Sequence, residues 1–134
     1  MQTKENKIIS EFSLYSSWEE KYEHLIEIGE DIPLIKSDKK TPDYLIQGCQ
    51  SNVWLDCEKR KERLYFYADS DALISKGLVA LIIQLFSGST ALEIVNYQNT
   101  LFEKIQLKQH LSMTRANGLL MMIKKIQNYA KKNL

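Results

Sequence analysis

Residues 71–87 most constrain the fold, because they have the pattern of a helix that is apolar on nearly every side. The apolar residues are Leu73, Ile74, Leu78, Val79, Leu81, Ile82, Ile83, Leu85 and Phe86. A helix of this kind is buried, so other elements must cover it. Gly77 lowers its helix propensity, so we expect a close backbone contact there. Gly88 is placed to end the helix, and residues 69–71 (Asp-Ser-Asp) are expected to cap its start.

Two segments of alternating polarity precede this helix and predict a β-hairpin. Their apolar positions are Val53, Leu55, Cys57, Leu64, Phe66 and Ala68. The charged residues 59–62 lie between the two segments and form the turn. Because an isolated two-stranded hairpin is marginally stable, we expect a short third strand around residues 44–47. The alternation places Cys57 on the core face, where it is interpreted as a small buried hydrophobe.

Helical patterns flank the hairpin and the apolar helix. Apolar residues recur at helical spacing over residues 4–14 and along a last helix at residues 113–131. Ser17 and Thr90 each precede a glutamate by three residues, which is the capping-box pattern of a helix start. This order of elements predicts one α+β domain over residues 1–134, with helices packed on a small antiparallel sheet of about three strands.

Composition limits the function classes. A chain of 134 residues with a formal net charge of +1 suits one globular domain and argues against a large nucleic-acid footprint. The longest apolar run, residues 78–86, is far too short to span a membrane. The first residues lack the apolar stretch of a signal peptide. We therefore expect no nucleic-acid or membrane partner and a cytoplasmic location, where free thiols persist.

The most informative short segment is the turn at Gly48 and Cys49. It follows a polar loop at residues 35–44, whose lysines are interpreted as a solvated face or, alternatively, as part of a docking edge. Glycine allows backbone angles that are closed to other residues, so the turn can present the thiol of Cys49 at the rim of the domain. On local chemistry alone, a structural cysteine near the end of a strand is equally consistent.

Metal binding and hydrolysis find little support in the sequence. The candidate ligands are Cys49, Cys57, His24 and His110. None of them pair at a metal-ligand spacing, and an iron–sulfur cluster usually needs four ligands. A Cys49–His110 hydrolytic pair lacks a recognisable oxyanion-hole motif. We therefore expect no bound metal or cofactor, and thiolate transfer is the chemistry that remains.

Six blocks of residues, in order along nearly the whole chain, resemble the SufE family of sulfur-acceptor proteins. They are residues 18–22 (WEEKY), 47–54 (QGCQSNVW), 69–72 with 76–78 (DSDA and KGL), 94–96 (IVN), 102–104 (FEK), and 109–112 with Arg115 and 118–119 (QHLS, R and GL). The order and spacing of the six blocks together make the resemblance specific.

The resemblance implies an α+β fold related to the IscU-type scaffold, and a function. SufE proteins accept sulfur from a pyridoxal-phosphate-dependent cysteine desulfurase of the SufS type, stimulate that enzyme, and pass the sulfur to a SufBCD-like iron–sulfur scaffold. Such a protein is a persulfide carrier and activator rather than a free-standing enzyme, and the pyridoxal phosphate belongs to its partner. By motif matching, Cys49 is the accepting nucleophile.

The resemblance also implies roles for the residues around Cys49. The residues expected to shape its loop are Gln47, Gly48 and Gln50. Asp71 and Arg115 are the charged residues expected near the loop, where they contact the partner or the thiolate. Three questions stay open: the chain is a monomer or a homodimer; it is a sulfur carrier or a desulfurase activator that carries no sulfur; or it is a redox sensor with a Cys49–Cys57 disulfide.

Overall fold

The computed structural model describes all 134 residues, and its elements are arranged around one central helix, α3 (Leu73–Phe86). Ten of the residues of α3 are buried, which confirms the burial expected from its apolar pattern. In chain order the other elements are α1 (Gln2–Ser13), α2 (Trp18–Glu30), β1 (Val53–Arg60), β2 (Arg63–Ser70), β3 (Ser89–Thr90), α4 (Ala91–Asn96), α5 (Thr100–Lys104) and α6 (Met113–Lys132). The architecture is α+β, as predicted.

The sheet has three antiparallel strands in the order β1-β2-β3. β1 and β2 form the predicted hairpin, with Val53 opposite Ser70 at one end and Arg60 opposite Arg63 at the other. The identity of the third strand was predicted wrongly. Residues 42–44 form a 3-10 turn that begins at Pro42, and only one bridge, Leu45 to Trp54, follows.

The third strand instead comes after α3. Gly88 has a φ of +85°, a left-handed conformation that glycine adopts readily. It ends the helix and turns the chain back, so that Ser89 pairs with Leu64 and Thr90 with Arg63. The prediction that Gly88 ends the helix is therefore confirmed, and β2 becomes the central strand of the sheet.

The helix starts follow the expected capping in two places and depart from it in one. Ser17 accepts a hydrogen bond from the backbone N–H of Glu20, and Thr90 forms a complete capping box for α4. The cap predicted for α3 is wrong, because its N-cap is Ala72 and no side chain caps it. The two aspartates are engaged elsewhere: Asp69 pairs with Lys40 and Lys76, and Asp71 binds the loop before β1.

Ion pairs hold the loop at residues 35–44 against the hairpin. Lys39 Nζ lies 2.8 Å from Asp56 Oδ2, and Lys40 pairs with Asp69. These lysines are therefore not simply a solvated face, since two of the three anchor the loop. Cys57, expected in the core, is half-buried and packs against the edge of the apolar cluster, so its predicted full burial is wrong.

The first helix and residues 97–104 meet at Glu5, which is fully buried. Burial favours the neutral acid, but hydrogen bonds from Thr100, Tyr97 and Lys104 outweigh it and lower the pKa of Glu5 to about 2. The carboxylate thus stays ionised at neutral pH and ties α1 to the segment that contains α5.

The backbones of α2 and α3 approach most closely at Gly77. A Cβ atom placed on Gly77 would overlap the carbonyl oxygen of Leu25, and one on Gly29 would lie 3.0 Å from the backbone nitrogen of Gly77. Both obstacles are backbone atoms, which cannot rotate away. The expected close contact is confirmed, and it sets the distance between the two helices.

Gly77→Ala is therefore expected to destabilise the fold, although alanine is the better helix former. Forcing α2 and α3 apart costs about 1–3 kcal/mol, beyond the helix-propensity gain of about 1 kcal/mol. Urea unfolding measures the difference. Gly118→Ala is the control, because a Cβ there meets only Cys49 Sγ at 3.6 Å. Equal stabilities of Gly77→Ala and the unmodified chain would contradict the packing argument.

Candidate functional site

Residues 46–53 form a short loop whose two ends are fastened together. The N–H of Ile46 donates to the carbonyl oxygen of Val53 at 2.9 Å. The carboxylate of Asp71 accepts from the backbone N–H of Asn52 at 3.1 Å and from its side-chain amide at 2.9 Å. Hydrogen bonds to a charged acceptor are stronger than neutral ones, so Asp71 is the main clasp on this loop.

Gly48 brings the loop against α6. Its φ is +86°, which strains any residue with a Cβ. A Cβ at this position would also lie 2.8 Å from Cγ of Met121. Gly48 is therefore required both for the turn and for the approach to the helix.

The thiol of Cys49 lies half-buried against α6. Its sulfur is 3.7 Å from the carbonyl oxygen of Gly118, the geometry of a weak S–H···O hydrogen bond. Gly118 carries no side chain, and a Cβ there would already be in contact with the sulfur at 3.6 Å. The thiol therefore packs directly on the backbone of α6 at Gly118.

The thiol opens onto a cavity of about 320 Å³ between the loop, the start of α3 and the start of α6. Its walls combine hydroxyl groups with a few apolar side chains. The lining residues are Cys49, Gln50, Ser51, Ser75, Leu78, Ser112, Thr114, Arg115, Gly118 and Met122. Arg115 is the one charged residue among them, so no carboxylate opposes a negative charge in the cavity.

Burial controls the ionisation of both thiols. It raises the pKa of Cys49 above the ordinary value. Burial, helped by the nearby negative charge of Asp56, raises the pKa of Cys57 to about 11. Because the thiolate is the nucleophile, Cys49 in this docked position is protonated and weakly reactive at neutral pH.

The structure brings most of the predicted site residues together. Gln50 and Arg115 line the cavity beside Cys49, and Gly48 forms the turn. Asp71 lies at the base of the loop, outside the cavity wall. Gln47 faces a separate groove with Met121 and lysines of α6.

Sequence reasoning missed two neighbours of the loop, Ser75 and Met121. Ser75 stands in an apolar helix, and Met121 lies in α6. A polar residue inside an otherwise apolar helix was the available signal for Ser75. His110 stacks on Trp18, with ring centroids 3.9 Å apart, and does not line the Cys49 cavity.

Cys57 and Cys49 line different cavities. Cys49 contacts Gly118 of α6, whereas β1 contacts α6 through Tyr129, whose hydroxyl donates to the carbonyl of Leu55 at 3.1 Å. These two points on α6 are eleven residues apart, or about 16 Å along the helix. A disulfide requires Cα atoms within about 7 Å. A Cys49–Cys57 bridge therefore needs the loop to leave its position.

No group of three or more histidine, cysteine, aspartate or glutamate side chains is arranged to hold a metal ion. No helix combines the length and the apolar character that crossing a membrane requires.

Comparison with known proteins places both the fold and the family. The chain resembles a hypothetical protein from Thermus thermophilus, known from a solution structure, with a TM-score of 0.80 and 14% sequence identity. The match covers 97% of this chain and 95% of the other, and at this identity it speaks for the fold alone. The family model for SufE, described as the Fe-S metabolism associated domain, matches residues 6–130. The chain therefore belongs to the SufE family and has a role in Fe-S metabolism.

Proposed function

We propose that this protein is a sulfur carrier. It takes sulfur onto Cys49 from the persulfide of a pyridoxal-phosphate-dependent cysteine desulfurase, stimulates that enzyme, and passes the sulfur to an iron–sulfur assembly scaffold. The observation that carries the proposal is the position of Cys49. Its thiol lies on a loop turned by Gly48, beside a cavity with room for another sulfur atom. Family membership adds the connection to Fe-S metabolism.

The transfer is an exchange between sulfur atoms. The thiolate of Cys49 attacks the outer sulfur of the donor persulfide, and a new S–S bond forms on Cys49. The S–S bond in the donor breaks, and its electron pair stays on the donor cysteine as a thiolate. The proton lost by Cys49 goes to solvent or to that thiolate. The sulfur atom moves without net oxidation or reduction, so no further reactant is needed.

The docked loop represents a resting state of this carrier. The neutral thiol is held by one weak hydrogen bond to Gly118, and the loop base by the clasp between Asp71 and Asn52. Release of the loop moves the thiol into water or into a partner's cleft, where desolvation by this domain no longer raises its pKa. If the loop is released only when the protein docks on the donor, Cys49 becomes reactive beside the donor persulfide.

Arg115 is suited to the encounter with the partner. It is exposed, lines the Cys49 cavity and forms no ion pair in the structure. A free positive charge beside the nucleophile attracts an acidic partner surface and favours the thiolate. Asp71 serves the same step differently, because its contacts decide how readily the loop leaves.

The transfer itself is tested by incubating the protein with a cysteine desulfurase, cysteine and pyridoxal phosphate. Intact-mass measurement should show one added sulfur atom, which peptide mapping places on Cys49. Cys49→Ala should lose the added mass, and Cys57→Ala should keep it. Sulfur mapped to Cys57 would show that the site is wrong. Full stimulation of the desulfurase by Cys49→Ser would favour an activator that carries no sulfur.

Asp71→Ala should release the loop and expose the thiol. Losing two hydrogen bonds to a carboxylate increases the open population about tenfold. Without any partner, alkylation of Cys49 should therefore accelerate by about that factor at neutral pH. In the unmodified chain the rate should keep rising with pH beyond the range of an ordinary cysteine, because the pKa of Cys49 is raised.

Asp43→Ala is the control for the clasp, since it removes an exposed carboxylate with the same change in net charge. It should leave the alkylation rate unchanged. Equal alkylation of Asp71→Ala and the unmodified chain would show that the clasp does not hold the loop.

Arg115→Ala should slow sulfur acceptance from the desulfurase by on the order of tenfold, through slower encounter and a less favoured thiolate. The melting temperature should hardly change, because Arg115 is exposed. Lys131→Ala, near the other end of α6, is the control and should transfer normally. Normal kinetics in Arg115→Ala would remove this residue from the site.

A further inference from the structure

Ser75 is the one buried polar residue in the wall of the Cys49 cavity. Only 9% of its surface is exposed, and its hydroxyl takes part in none of the hydrogen bonds of the structure. Buried polar groups in proteins nearly always have a partner. The Ser75 hydroxyl forms no hydrogen bond within the chain and stays accessible from the cavity, so a molecule in the cavity completes its hydrogen bonding.

Positive groups lie beside Ser75 in the cavity wall. Ser75 lies in the first turn of α3, whose N-terminus has no side-chain cap. Arg115 lies in the first turn of α6, whose N-cap Ser112 accepts a hydrogen bond from its backbone N–H, and the Arg115 side chain lines the same cavity. Unsatisfied N–H groups at helix N-termini attract negative charge. The nearest carboxylate of the loop region, Asp71, is bound to Asn52 and does not line the cavity.

The other side of the cavity has the opposite character. Cys49 Sγ lies beside the carbonyl oxygen of Gly118, an acceptor that stabilises S–H and disfavours a thiolate. When a second sulfur is attached to Cys49, it lies about 2 Å beyond Sγ. A persulfide is a stronger acid than the corresponding thiol and carries its negative charge mainly on the outer sulfur. The charge therefore moves away from the Gly118 carbonyl and into the cavity.

We propose that the part of this cavity formed by Ser75, the uncapped N-terminus of α3 and Arg115 is a binding site for an anionic sulfur atom. Its ligand is the outer sulfur of the persulfide on Cys49, and the Ser75 hydroxyl donates a hydrogen bond to it. The inference rests on the proposed carrier function. It adds the charge of the bound group and the residue that binds it. The empty carrier holds a neutral thiol, and the loaded carrier holds a persulfide anion that Ser75 binds.

The site has a consequence for the carrier cycle. The hydrogen bond from Ser75 exists only in the loaded state, so loading strengthens docking of the loop. The retracted persulfide is then held away from solvent and oxidants, to which exposed persulfides and thiolates are sensitive. The hydroxyl that lacks a partner in the empty protein is satisfied when the sulfur arrives.

The test measures the ionisation of the persulfide in the full chain. Cys57→Ala serves as the background, so that only Cys49 reacts, and inorganic polysulfide loads the sulfur without any desulfurase. The ultraviolet absorption of the persulfide anion is then followed against pH. Ser75→Ala should lower the acid ionisation constant about tenfold, which is the effect of losing one hydrogen bond to a charged acceptor.

Two variants separate a binding role from a structural one. Ser75→Thr keeps the hydroxyl and should keep the ionisation of the persulfide. Thr114→Val removes an exposed hydroxyl from the rim of the same cavity and should change it little. The thermal stability of empty Ser75→Ala should equal or exceed that of the parent, because alanine favours helices and no hydrogen bond within the chain is lost.

Several outcomes would overturn the site. The first is equal ionisation of the persulfide in Ser75→Ala and the parent. The second is an ionisation constant that falls in Ser75→Thr as much as in Ser75→Ala. The third is failure of any Cys49 persulfide to persist in the folded chain. The proposed carrier function is tested by a separate measurement, the loading of Cys49 by a desulfurase. If polysulfide loading shows the Ser75 effect but a desulfurase never loads Cys49, the anion site stands and the proposed sulfur donor is wrong.

Discussion

Burial of α3 is the constraint on which the rest of the structure depends. The helix has apolar residues on almost every side, so α2, α6 and the sheet must all pack against it. Gly77 lets α2 approach until backbone touches backbone. The remaining positions follow from that packing, because protein interiors tolerate few voids.

The candidate site lies at the edge of this core, where the starts of α3 and α6 lie beside one another. The two helices pack over their apolar faces, and their first turns leave a polar cavity that the Cys49 loop covers. Gly48 and Gly118 allow the loop and α6 to touch without side chains between them. The site is therefore built from a loop that turns at Gly48 and from helix ends that the core has fixed. Docking of the loop and reactivity of the thiol oppose each other, because the wall that shelters Cys49 also removes water from it and raises its pKa. The protein can shelter the thiol at one time and expose it at another only if the loop is weakly bound to the domain. The contacts of Cys49 and Asn52 are few enough to be exchanged for contacts with a partner.

Periodicity and local capping determine the part of the fold that was predictable. The buried helix, the hairpin alternation and the helix starts at Ser17 and Thr90 depend on neighbours within a few residues. The third strand and the cap of α3 were predicted wrongly, because Ser89 pairs with distant Leu64 and Asp69 is held by distant Lys40.

The candidate site was likewise predictable only where it depends on residues that are neighbours in the sequence. Cys49 and Gly48 stand out locally, as a thiol beside a flexible turn, whereas the cavity wall joins Ser75 and Gly118, which are more than forty positions apart in the chain. The half-burial of Cys57 has a related cause, since strand alternation predicts the face of a residue but not where the core ends.

The backbone hydrogen bond between Ile46 and Val53 sets the length of the loop that carries the sulfur. With its two ends joined, the loop is a tether whose tip is three residues from Ile46 and three from Asn52. Fully extended, three residues span about 10 Å. The thiol can therefore project only about that far from the body of the domain. A donor whose persulfide lies deeper must either offer its sulfur on a mobile segment of its own or unzip the base of this loop.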